Sequence, residues 1–179
     1  EAKALEDYII PRYGKNMYAV YGMSMGGVFA ATLWQNMNLS FEKVIFDGSP
    51  LVSLNGFMKG FMKKFYLDIT HKSQQRDKKT VEQATKVIIP EDKLEHLLNV
   101  LDNMSDATVA NSIGSIAEFK LKSDIATPNT TVYFFHGTAP NEMLAKKSAK
   151  YIRKHYSTTV INASKVNFIA KTRCFIQIL

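Results

Sequence analysis

Ser24 has a glycine two positions before it and another two positions after it, in the run Gly22-Met23-Ser24-Met25-Gly26, and Gly27 follows at once. A serine hydroxyl is a weak nucleophile. It becomes useful when the backbone turns it out toward a base and when N–H donors wait for the oxyanion it creates. A sharp turn from strand to helix does both, provided its neighbours are small enough for the two elements to approach each other. Gly22, Gly26 and Gly27 meet that need. The turn would project Ser24 Oγ above the sheet and aim the Met25 N–H, at the start of the helix, at the developing oxyanion. A Gly-x-Ser-x-Gly match has little weight by itself, and a glycine-rich turn without catalysis is the plainer alternative. A strand before the motif and a helix after it are what give the match its meaning.

The flanking sequence supplies both. Met17 to Tyr21 is a short apolar and aromatic run of buried-strand character, and Val28 to Met37 is rich in Ala, Leu and Phe, as a helix packed on a sheet would be. Lys43 to Phe46 is predicted to be a second strand, closed by the turn residues Asp47-Gly48-Ser49-Pro50. Ahead of these, Glu1 to Tyr13 is predicted to be helical, with Leu5, Tyr8 and Ile9 on one face and Pro11 limiting its length. Thr131 to Phe135 returns to strand character. Asn141 is placed to cap a helix running to about Tyr156, with Met143-Leu144, Ala149 and Ile152 toward the sheet, and Thr158 to Ile161 is the next strand. This alternation predicts an α/β fold with a parallel sheet flanked by helices.

Between these strands lies a block with helical patterns only. Phe57, Met58, Phe61, Met62 and Phe65 form a stripe of period near 3.6. Leu94, Leu97, Leu98 and Leu101 line one face of a helix that Pro90 opens. Ser105 or Asp106 caps another helix, with Val109, Ile113 and Ile116 inward. Residues 51–123 therefore read as a helical cap inserted into a core made of residues 1–50 and 124–179.

A serine nucleophile needs a base, and the base needs an orienting carboxylate. Two carboxylates stand after predicted strands: Glu142, after Thr131 to Phe135, and Asp47, after Lys43 to Phe46. Each has a plainer reading, Glu142 as a first-turn helix acid and Asp47 as a turn residue.

Together, Gly22-Met23-Ser24-Met25-Gly26-Gly27, Val44-Ile45-Phe46-Asp47-Gly48-Ser49-Pro50 and Tyr133-Phe134-Phe135-His136-Gly137-Thr138 with its following helix resemble the α/β-hydrolase superfamily. The likeness runs from the start of the chain to about Ile161. It implies a serine hydrolase of the esterase, lipase or thioesterase kind, acting on a small-molecule ester or thioester without a cofactor. The catalytic order it implies is serine, acid, histidine. Glu142 is the favoured acid and Asp47 the alternative. The stripe from Phe57 to Phe65 would line an acyl pocket or simply pack.

Two parts of that machinery are not found. His155 is the only histidine after Glu142, near a helix end, while His136 precedes the acid and His71 and His96 belong to the cap. No His-Gly-Gly run precedes Ser24, and only one strand stands before it. The expectation is the middle and rear of a hydrolase, with its first strands supplied by a second chain or absent. A non-catalytic protein of the same fold, binding a ligand or partner, is the competing reading.

Composition bounds the rest. The chain has 179 residues, 46% hydrophobic and 22% charged, enough for a real core. No apolar run could span a bilayer, and Glu1 to Asp7 do not resemble a signal peptide. A single cysteine, Cys174, excludes an internal disulfide and Cys-pair zinc sites, so a reducing cytoplasmic setting and no metal are expected. The formal charge of +7 is carried by scattered groups such as Lys63-Lys64 and Arg153-Lys154. Without interleaved aromatics these predict solvated helix faces, not a nucleic-acid surface.

Overall fold

A computed structural model describes residues 1–87, 90–126, 129–137 and 143–162. Helix α1 (Ala2–Tyr13) leads to strand β1 (Asn16–Met23), helix α2 (Gly26–Asn36) and strand β2 (Ser40–Asp47). Helices α3 (Gly56–Gln74), α4 (Lys78–Val87), α5 (Leu94–Asp102, after a short turn of 3-10 helix) and α6 (Asp106–Glu118) follow. Strand β3 (Thr131–His136), helix α7 (Met143–His155) and strand β4 (Thr158–Asn162) complete the described chain. All four strands are parallel, in the order β1-β2-β3-β4. Each parallel pair needs a crossover, and helices supply it.

The residues divide into two compact units. One contains residues 1–53 and the chain from 118 through β4; the other contains residues 54–117. In the first, alternate strand residues Val44, Phe46, Val132 and Phe134 are buried together with Ala30, Ala31 and Trp34 of α2 and Ala145, Ala149 and Ile152 of α7. Trp34 lies 6.3 Å from the Phe46 ring and 4.9 Å from that of Tyr156. Such aromatic contacts add to the area that each ring removes from water. Small alanines on both helices let them approach the sheet closely.

Helix α1 departs from expectation. Leu5 and Tyr8 are exposed, whereas Glu6 is buried and Ala2, Ile9 and Ile10 pack against the core. The rotation is explained by Glu6, whose two carboxylate oxygens accept hydrogen bonds from Asn36 Nδ2 and Asn38 Nδ2, both at 2.8 Å. Pro11 lies inside the last turn and does not stop the helix; Gly14, at φ 80°, does.

The second unit is helical throughout its described residues. Asn55 caps α3 by accepting the Met58 N–H. Gln74 Nε2 donates to the carbonyls of Leu101 and Met104, and Arg76 grips Asp102 with two bonds of 2.8 and 2.7 Å. These tie the end of α3 to the end of α5. Val109, Ile113 and Ile116 of α6 are buried, as their spacing predicts. The α3 stripe is split: Met58 and Met62 are half-buried, while Phe57, Phe61 and Phe65 are exposed. No helix among the described residues is long and apolar enough to cross a membrane.

Candidate active site

Strand β1 runs directly into Ser24, and α2 begins two residues later. Ser24 has φ 49°, a left-handed backbone that a non-glycine residue adopts only when its surroundings impose it. Three bonds impose it here. The Ser24 N–H donates to the Asp47 carbonyl at 2.7 Å, the Gly27 N–H to the Ser24 carbonyl at 3.0 Å, and the Val28 N–H to the Met25 carbonyl at 2.9 Å. The turn is thus anchored to the end of the neighbouring strand and to the first turn of the helix.

Two of the three glycines are required by space. A Cβ on Gly22 would stand 2.6 Å from the Gly26 carbonyl oxygen and from the Gly27 Cα; one on Gly27 would stand 1.9 Å from Ser49 Oγ. Gly26 has open space where its Cβ would be. Ser49, fully buried, donates to the Gly22 carbonyl at 3.0 Å and so fills the gap that the glycines leave. Sequence reading passed over Ser49, taking it only as a turn residue. The signal available was a small residue just past the strand that pairs with the serine strand.

Ser24 is exposed, and among the described residues its hydroxyl has no hydrogen-bond partner. The Met25 N–H, at the head of α2, is likewise unpartnered there. An exposed hydroxyl beside an open amide at a helix N-terminus has the elements that nucleophilic attack and oxyanion binding require.

Asp47 ends β2, opposite Met23 in the register. Its Oδ2 accepts the Tyr21 phenol at 2.8 Å, a diagonal contact across the two strands. Loss of part of its contact with water first, and then this hydrogen bond, push the half-exposed Tyr21 phenol well above the usual tyrosine range, so it stays a donor to Asp47. Tyr21 thus contacts a candidate site residue, a contact that sequence reading missed. Its place two positions before Met23, on the same side of the strand, was the signal. Glu142 lies outside the described residues.

The histidines are not gathered at the serine. Met23, Asp47 and Phe135 share one row of the sheet, so Ser24 and His136 come next on strands two apart. At ordinary strand spacing that separates their backbones by about 10 Å. The His136 Nδ1 is 2.9 Å from the Gly137 carbonyl, and this bond makes it the protonated nitrogen. His155 ends α7, which returns the chain to the opposite edge of the sheet, and its ring lies 4.6 Å from that of Tyr151. His71, in the helical unit, bonds Asp106 at 2.7 Å. His96 lies exposed on α5 in that same unit.

No protein-family model matches the chain, and no curated protein sequence does. Solved structures do. An esterase from Exiguobacterium antarcticum superposes with a TM-score of 0.59 at 15% identity, over 90% of this chain and 63% of its own. A protein from Desulfitobacterium hafniense, described as of the alpha/beta hydrolase family, gives 0.63 at 10% identity, over 91% and 66%. The RedJ thioesterase from Streptomyces coelicolor gives 0.52 at 13%, over 91% and 57%. The chain spans less than two thirds of the length of each. At these identities the likeness concerns the fold: the sheet and its helices have the α/β-hydrolase architecture.

Proposed function

We propose that this chain carries the nucleophile of a serine hydrolase acting on a carboxylic ester or thioester. The observation that carries the reading is Ser24 itself, held in a left-handed backbone between β1 and α2, exposed and next to the open Met25 N–H. Ser24 Oγ would attack the acyl carbon as its proton passes to a base, and the Met25 amide would meet the oxyanion. The proton would then pass to the departing alcohol or thiol, leaving an acyl-serine for water to open. Glu142 is assigned to orient the base, with Asp47 as the alternative acid. The esterase and the thioesterase among the similar structures support the substrate class. Residues 51–123, which include the helical unit 54–117, would act as a cap, and the single cysteine, Cys174, supports a cytoplasmic setting.

The test is covalent labelling of the purified chain by a fluorophosphonate probe. Labelling that Ser24→Ala abolishes, with the circular dichroism spectrum unchanged, is the expected result. A folded chain that never labels would leave the second reading, a ligand-binding protein without turnover. One observation favours that reading: among the described residues, no histidine is hydrogen-bonded to Ser24 or Asp47.

A further inference from the structure

The net charge of this chain falls in one stretch of its sequence. Residues 1–136 hold fifteen Lys and Arg against fifteen Asp and Glu, whereas residues 137–179 hold eight against one, Glu142. The whole formal charge of +7 belongs to that second segment. Helix α7 alone contains Lys146, Lys147, Lys150, Arg153 and Lys154 and no carboxylate.

Some surface cations elsewhere pair with acids, as in Lys3 with Asp7, Lys72 with Asp68 and Arg76 with Asp102. Among the described residues, Lys147, Lys150, Arg153 and Lys154 make no ion pair or hydrogen bond. The helix dipole accounts for Arg153 and Lys154 in the last turn. It does not account for Lys150 in the middle.

These side chains border a concavity. A cavity of about 340 Å³ is lined by His136, Lys146, Ala149, Lys150, Arg153 and Lys154. On α7 these positions fall at i, i+3, i+4, i+7 and i+8, one stripe about 12 Å long. The small, buried Ala149 and His136, at the end of β3, complete its lining. Because His136 Nδ1 donates to the Gly137 carbonyl, Nε2 is the ring atom left to meet a ligand.

We propose that this groove binds a small phosphate-bearing molecule, separately from the chemistry at Ser24. A phosphoryl group brings up to two negative charges and three acceptor oxygens, which suit several lysines and a forked guanidinium. The volume lies in the range of small-molecule sites. A nucleic acid fits less well, because single strands need aromatic faces beside the charges. The two tyrosines nearest the stripe are turned inward instead, with Tyr151 donating to the Leu121 carbonyl at 2.6 Å and Tyr156 to that of Lys122.

Isothermal titration of the full chain with pyrophosphate, near physiological ionic strength, tests the proposal. The expected result is saturable one-to-one binding that Lys150→Gln with Arg153→Gln weakens by about tenfold or more. Lys63→Gln with Lys64→Gln, in the helical unit, and Ser24→Ala should both leave it unchanged. If the double variant loses its helical circular dichroism, Lys150→Gln and Arg153→Gln singly, each expected to weaken binding, carry the test. Absence of saturable binding overturns the proposal, as does equal weakening by the Lys63 and Lys64 pair. Binding to phosphatidylserine vesicles or to an oligonucleotide without binding to pyrophosphate also overturns it, in favour of a membrane or a nucleic acid. None of these outcomes depends on whether Ser24 labels with a fluorophosphonate.

Discussion

Gly27 is required by its neighbour and not by its own backbone. It lies within α2, yet a Cβ there would overlap both Oγ and Cβ of Ser49, at 1.9 and 2.3 Å. Ser49 is fully buried and bonded to the Gly22 carbonyl, so it cannot swing aside without losing that bond. Gly27→Ala is therefore expected to lower stability by about 1–3 kcal/mol, the usual cost of overpacking. Ser49→Gly in the same chain should recover part of the loss, because it empties the space that the new methyl needs. Urea unfolding of the two single variants and the double variant measures the coupling, and strictly additive losses would disprove the contact. The motif itself was legible at this scale, since glycine and serine spacing is local. Its lock was not, because Ser49 comes from the next strand, and neither was the Tyr21–Asp47 bond, which needs the parallel register of β1 and β2.

Helix α7 is fastened to the core by a polar contact as well as by its alanines. Ser148, fully buried, accepts the backbone N–H of Leu51 at 2.8 Å, just after the turn that ends β2. Ser148→Ala would leave that buried N–H without a partner, and a loss of about 1–3 kcal/mol is expected in thermal or denaturant unfolding. A variant as stable as the parent would show that the N–H finds another acceptor. The helix and its inward residues Ala149 and Ile152 could be read from periodicity, whereas Met143, expected inward as well, is exposed. The rotation of α1 could not, because period alone favours Leu5 and Tyr8, whereas the asparagines that capture Glu6 sit some thirty positions away. The α3 stripe shows the same limit. Spacing puts Phe57, Phe61 and Phe65 together, and Phe61 and Phe65 do stack at 6.4 Å, but on an exposed surface.

At the scale of the whole molecule, the strand that delivers Ser24 lies at the edge of the sheet that the described residues form. Among the described residues β1 pairs with β2 alone, and Tyr18, Tyr21 and Met23 on it are exposed. An unpaired apolar edge invites another strand. We propose that this chain self-associates through that edge. Sedimentation equilibrium should then show an average mass that rises with concentration, and a well-folded monomer at every concentration would rule the pairing out.

The sequence by itself determined the alternation of strands and helices, the turn at Ser24 and the helical block in the middle, because hydrophobic period and glycine spacing are local properties. Tertiary structure decided which glycines are sterically required, which face of α1 is buried and which carboxylate Tyr21 holds. It also brought four of the five cations of α7 beside His136 in one groove. Those outcomes depend on residues distant in sequence meeting across a parallel sheet. Only the register of the strands and the packing of helices upon them bring such residues together.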